Sequence, residues 1–189
     1  MFRFLFKPLL VLLATASVSA NATPVTIDFE TYTVGQVLAA NTDLGGVYFN
    51  HSIQIHGANQ FPPFATGNVA LNSNPFAGDF SGGFSQTVSS FSIAVGDNCC
   101  DLDSALLSVF DSAMNLLGTA SFTNQASGQV LSVAASGIKY FSVDQSGLVV
   151  FDNLTFDTQS NSVPEPASLA LVGLGLAGLG ALRRRKFLA

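Results

Sequence analysis

The chain predicts an all-β body, a sandwich or barrel of antiparallel strands, and three observations carry that reading. Apolar residues alternate with polar ones over short runs, as in Val25-Thr26-Ile27-Asp28-Phe29-Glu30. Gly, Asn, Ser and Asp interrupt these runs roughly every eight to twelve residues, the spacing of strands joined by turns. No stretch between residues 23 and 163 sustains a helical period, while thirteen of the 17 phenylalanines fall there and supply a core without tryptophan. About 140 residues suffice for one domain with such a core.

The first element is not part of that body. Arg3 and Lys7 flank Phe4–Phe6, Leu9–Leu13 form an apolar segment, and small residues follow. Ala20-Asn21-Ala22 is an A-x-A cleavage pattern, with Val18-Ser19-Ala20 as a competitor. Residues 1–22 therefore predict a signal peptide, removed by signal peptidase, and residues 23–158 the exported domain.

Along the domain, Val25, Ile27 and Phe29 share one face of the first strand, and Asp28 and Glu30 share the other. Val47–Phe49 and Ile53–His56 predict short strands about an Asn50-His51-Ser52 turn. Residues 57–83, rich in Asn, Pro, Gly and Phe, predict a long irregular connection of the kind that carries function. Phe91, Ile93 and Val95 share one parity, as do Leu131 with Val133 and Phe141 with Val143. Ala105–Asp111 and Leu116–Phe122 flank a Ser112–Asn115 turn and predict a hairpin. The last strand, from about Leu148 to Phe156, changes apolar parity between Phe151 and Leu154, which predicts a bulge near Asp152-Asn153. Nine or ten short strands fit two packed antiparallel sheets.

Beyond a linker at 159–163, Val163-Pro164-Glu165-Pro166 precedes sixteen apolar or small residues, Ala167–Leu182, and Arg183-Arg184-Arg185-Lys186 closes the run. As a helix the run rises about 24 Å, against a hydrocarbon core of about 30 Å, and the basic cluster orients it with the body outside. A buried helix followed by a basic tail is the alternative. The tripartite pattern over 164–189 resembles the PEP-CTERM sorting signal of Gram-negative bacteria. That resemblance implies export, sorting by an exosortase and a transient anchor in the inner membrane through a C-terminal apolar helix. It then implies processing near Pro164-Glu165-Pro166 and residence at the cell surface or outside the cell. Pro164, Glu165, Pro166, Arg183, Arg184 and Arg185 are its sorting residues.

Without the two ends, Lys139 is the one cation against eleven acids in residues 23–163, a formal charge of −10. Such a body makes nucleic acid and anionic membrane surfaces poor partners, because phosphate binding needs Lys and Arg. The charge suits a hard divalent cation, or serves only to keep an exported protein soluble. Asp97, Asp101 and Asp103, with Asn98, make an oxygen-rich turn spaced for Ca²⁺, or a plain polar turn. Cys99-Cys100, the only cysteines, fit a vicinal disulfide, an intermolecular bridge or free thiols. His51 and His56, five apart, fall on opposite faces of a strand and are expected as surface or turn residues. No nucleophile–base pair or phosphate loop stands out, so a noncatalytic role is expected; an enzyme built on paired carboxylates is the lesser alternative.

Asp28-Phe29-Glu30, Leu44-Gly45-Gly46-Val47-Tyr48-Phe49 and Phe151-Asp152-Asn153-Leu154-Thr155-Phe156 resemble segments of PEP-CTERM cargo proteins. The bodies of those proteins look like jelly-roll sandwiches of the galactose-binding or lectin type. The resemblance implies an antiparallel jelly-roll-like β-sandwich whose first and last strands pair, bringing Asp152 to Asp28 and Glu30. A structural Ca²⁺ there is one implication, and a solvated polar face is the other. Exopolysaccharide is the partner implied for an exosortase substrate. Its candidate contacts are Tyr32, Tyr48, Tyr140 and the aromatics Phe61, Phe64, Phe76 and Phe80 of the long connection. A structural or adhesive matrix protein without a discrete ligand site explains the same residues.

Overall fold

The computed structural model describes residues 23–57, 67–73, 79–96, 102–125, 128–146, 150–158 and 173–176. The chain divides into Ala22–Ser160 and a terminal unit of Met1–Asn21 with Asn161–Ala189. In the terminal unit residues 173–176 form a helical turn. Among the described residues no helix is long and apolar enough to cross a membrane. The expected signal peptide, Pro164-Glu165-Pro166 and Arg183-Arg184-Arg185 lie outside the described residues.

The Ala22–Ser160 unit holds β1 (Pro24–Ile27), β2 (Val37–Leu38), β3 (Val47–Phe49), β4 (Ile53–Gly57) and β5 (Asn68–Asn72). These are followed by β6 (Phe80–Gly96), β7 (Asp103–Phe110), β8 (Leu116–Gln125), β9 (Gln129–Ser146) and β10 (Val150–Thr158). All pair antiparallel in the order β2-β4-β5-β10-β6-β9-β7-β8, with β1 added to β10 and β3 to β6.

Two strands decide the architecture. β6 has 17 residues and β9 has 18, where the sequence pattern predicts several short strands. Phe80–Gly83 pair with Tyr140–Val143, while Val88–Val95 pair with Gln129–Ile138. The register slips between Gly83 and Val88, and Gly137 turns with φ 85, a conformation that favours glycine. At this bend Lys139 Nζ donates to the carbonyls of Phe84 (2.6 Å) and Ser85 (3.1 Å). Both strands thus belong to two layers. One layer is β3, the first part of β6, the second part of β9, β7 and β8; the other holds the remaining pairings around β10. The two expected sheets are therefore one hydrogen-bonded sheet folded over itself.

Phenylalanine fills the space between the layers. Phe80 stacks on Phe151 at 4.4 Å, Phe49 lies 5.0 Å from Phe151, and Phe91 4.8 Å from Phe141. Such pairs add about 0.5–1.5 kcal/mol each beyond area burial. Phe80 is 2% exposed, which assigns it to the core and not to the set of loop contacts.

Three expectations change and two hold. The first strand stops at Ile27, because Phe29 adopts φ 58 and its carbonyl accepts from Tyr32 N in a turn. Asp28 and Glu30 therefore leave from that turn, not from one strand face. The 57–83 stretch holds β5 and the start of β6. β5 is buried along Val69–Asn72 and so lacks the alternation that marks a half-exposed strand. The β7–β8 hairpin forms where expected, with Asp111 Oδ1 accepting from Ala113 N (2.8 Å) and Asn115 N (2.9 Å). The β10 bulge falls between Asp152 and Thr155, with Asn153 at φ 49.

Candidate functional site

The outward side of the β3-β6-β9-β7-β8 layer is built by strict alternation. Phe141 and Val143 of β9, and Ala105, Leu107 and Val109 of β7, point into the core. Tyr140, Ser142, Asp144 and Ser146, and Ser104, Leu106, Ser108 and Phe110, therefore point the other way. Strand register sets these outward residues in rows across the sheet. Tyr48, Gly83, Tyr140, Phe110 and Leu116 are successive cross-strand partners. The next row runs Ser81, Ser142, Ser108 and Thr119, with Asn50 Nδ2 donating to Ser81 Oγ at 3.0 Å. Asp144, Leu106 and Ser121 form a third row, and Ser146 with Ser104 a fourth.

The rows line two hollows at successive positions along β9. A cavity of about 340 Å³ lies over Asn50, Ser81, Tyr140, Ser142, Phe110 and Met114. A second of about 390 Å³ lies over Asp79, Asp144, Leu106, Ser104, Ser121 and Thr123. Ser142 of the first and Asp144 of the second are two residues apart on one strand face. Together the rows from Tyr140 to Ser146 make a furrow about 20 Å long at about 3.4 Å per residue. Gly83 lies beneath its aromatic end. A Cβ there would stand 2.7 Å from Tyr48 Oη and 2.9 Å from Tyr140 Cδ1, so glycine lets the two rings close over the strand.

This surface offers flat aromatic rings at one end, hydroxyls and an amide in the middle, and two carboxylates beyond. Rings stack against apolar sugar faces, while the polar rows exchange hydrogen bonds with hydroxyls. Tyr48 and Tyr140 are the tyrosines the sequence singles out that line it. Tyr32 instead packs against the core beside Phe29, with ring centroids 6.3 Å apart. Phe61, Phe64 and Phe76 lie outside the described residues. Phe110, Ser142, Asp79 and Asp144 were not singled out by sequence. Their signal was available, since the apolar residues at alternate positions on β7 and β9 already marked the opposite face.

The acidic residues split into separate places. Asp152 is 1% exposed at the β10 bulge, with Asn153 N donating to Oδ1 at 2.7 Å and Asn153 Nδ2 to Oδ2 at 2.9 Å. Burial pushes its carboxyl up to about 7; the Asn153 N–H opposes the rise, and the Glu30 and Asp28 carboxylates add to it. First and last strands do pair, Ile27 facing Leu154, and the three acids share one neighbourhood as the sequence implied. Asp28 Oδ1 accepts from Glu30 N at 3.2 Å, and Glu30 Oε1 from Asn68 N at 2.9 Å. Among the described residues, no three His, Cys, Asp or Glu side chains converge into a metal-ligand set.

Asp103 is buried at the start of β7, not displayed on a turn. Asp97, Asp101, Cys99 and Cys100 lie outside the described residues. His51 and His56 are half-buried, and neither Nε2 has a hydrogen-bond partner among the described residues. Burial lowers His51 from its ordinary value.

Residues 162–186 match the PEP-CTERM protein-sorting motif, which marks an exported, exosortase-processed protein. A search of curated proteins finds no match. Among solved structures, the chain is similar to a family 6 carbohydrate-binding module at 17% identity, covering 71% of this chain and 94% of that one, with a TM-score of 0.38. It is similar to the K2 cleaved adhesin domain of Lys-gingipain at 13% identity, with 72% and 100% coverage and a TM-score of 0.42. It is also similar to the C-terminal family 6 module of LamC, a laminarinase of Zobellia galactanivorans, at 11% identity, 72% and 100% coverage and a TM-score of 0.36.

Proposed function

We propose that this exported chain is a noncatalytic glycan-binding protein of the cell envelope or extracellular matrix, taking polysaccharide along the furrow of its outward sheet face. One observation carries the reading: an aromatic row, a hydroxyl row and the Asp144 and Asp79 carboxylates lie along one sheet face that holds two cavities. A purely structural matrix protein has no need of such hollows above the sheet. Sorting by exosortase supports a place at the surface, where polysaccharide is the abundant partner. Transient anchoring through the apolar run Ala167–Leu182 belongs to the same proposal.

The test is isothermal titration of the purified protein with a panel of soluble polysaccharides, beside Tyr140→Ala. Saturable binding that Tyr140→Ala weakens about tenfold, as expected for loss of one stacked ring, supports the furrow. Absence of binding across the panel leaves the scaffold reading. Release of reducing ends during the titration refutes the noncatalytic part.

A second reading concerns calcium. Burial first, and then the Glu30 and Asp28 carboxylates, raise Asp152 beside the β1–β10 pairing; hard oxygen donors of this kind suit Ca²⁺. Asp28, Glu30 and Asp152 do not converge into a metal-ligand set as they stand, so an ion there would have to draw the three together as its charge offset theirs. Raised thermal stability with calcium, lost in Asp152→Asn, supports it. An unfolding temperature equal in calcium and in chelator removes it.

A further inference from the structure

The charge of the furrow points to a class of glycan. Asp144 is exposed in the larger cavity and carries no hydrogen bond or ion pair among the described residues. Asp79 lines the same cavity and uses Oδ1 to accept from Gln145 N at 2.9 Å. Phe80 pairs with Val143, and the residues next to that pair, Asp79 and Asp144, line the same cavity. Two carboxylates on one cavity make it a negatively charged surface.

Nothing in the domain offsets them. Lys139 is the one cation of residues 23–163, and its Nζ is engaged at the strand bend by the Phe84 and Ser85 carbonyls. Neither cavity includes it among its lining residues. A neutral chain laid over this row would bury two carboxylates without countercharge, a costly desolvation. A uronate or sulfate ester would add repulsion to that cost. An ammonium group removes both penalties and forms charge-assisted hydrogen bonds.

We propose that the furrow takes an amino-sugar polysaccharide with free ammonium groups, stacked at Tyr48 and Tyr140 and paired with Asp144 and Asp79. The inference rests on the glycan-binding reading of the same furrow. On this basis polysaccharides rich in uronic acid or sulfate are rejected, and binding weakens as salt screens the pairs.

The experiment compares a glucosamine oligomer with free amines, its N-acetylated counterpart of equal length, a neutral glucan and a polyuronate, all by calorimetry against the full protein. The expected result is at least about tenfold preference for the free-amine oligomer, reduced in Asp144→Asn and Asp79→Asn, each loss reflecting one charge-assisted bond. Equal affinity for the amine and acetylated forms, or preference for polyuronate, overturns the amino-sugar inference while the glycan-binding reading stands. Failure of every glycan to bind overturns that reading itself. Free-amine binding that persists in Tyr140→Ala reflects diffuse attraction to an acidic body and overturns the site. Binding of the amine form that requires calcium also overturns it, because a metal bridge would then occupy the carboxylates.

Discussion

Asp152 makes stability fall as pH rises, through a window set by its own carboxyl. In the unfolded chain the group titrates at its ordinary 3.8; in the fold burial first, then Glu30 and Asp28 against the opposing Asn153 N–H, push it up to about 7. Below about pH 4 both states hold the proton, and the stabilising term is fully present. Between about pH 4 and 7 the unfolded state releases a proton that the folded state keeps, so stability declines; above about 7 it levels. About two of the three pH units fall between pH 5 and 8, an upper bound near 3 kcal/mol at about 1.4 kcal/mol per unit. Exposure of Glu30 and solvent screening at the seam reduce this to about 1.5 kcal/mol.

The assay is urea unfolding of the wild type and Asp152→Asn at about pH 5 and pH 8, with a chelator present to keep calcium out. His51, lowered by burial, works in the opposite sense as pH falls through its ordinary 6.5, and the paired comparison cancels it. The wild type should lose about 1.5 kcal/mol relative to Asp152→Asn on going from the lower to the higher pH. Identical pH dependence of the two proteins, or a relative gain by the wild type at pH 8, would refute the account of the seam.

Other perturbations test the core and the bend. Phe151→Ala removes a side chain that is 0% exposed and touches the Phe29, Phe49 and Phe80 rings; it should cost about 3–5 kcal/mol in chemical denaturation. Lys139→Met deletes both bonds that hold the β6–β9 bend and should cost about 1–2 kcal/mol with an unchanged denaturant slope. Gly82→Ala places a methyl group on the Tyr48 carbonyl oxygen and within 2.7 Å of the Phe141 ring, so it should release β3 and lose cooperative unfolding. Gly35→Ala is the contrasting change: φ there is +88, yet no atom lies within 4 Å, and strain alone should cost about 1 kcal/mol. Equal damage by the two glycine changes in thermal unfolding would contradict this reading of the β3–β6 contact.

Much of the fold was legible because alternation is a local property. Val143 and Phe141 announce the inward face of β9 whatever strand lies beside it, and Asn153 announces a bulge because the parity on either side of it conflicts. The reach of β6 and β9 was not legible. Gly82-Gly83 fell in the stretch read as an irregular connection, yet neighbouring strands on both sides carry the backbone through them. At the candidate site, Tyr48 was legible as an aromatic with a polar end. Its relation to Tyr140 was not, since Gly83 of a third strand joins them.

The sequence by itself determined the address of this protein, its all-β character, its acidic body and its phenylalanine core. Each follows from the order and type of residues within one short window, where side-chain direction alternates at every step. Tertiary structure alone decided that one sheet folds over itself at two bent strands, that Asp79 and Asp144 line one cavity, and that Asp152 is buried within reach of the Glu30 charge. Those placements depend on register between segments many residues apart, and register is set by which apolar faces pack together, a relation no single window contains.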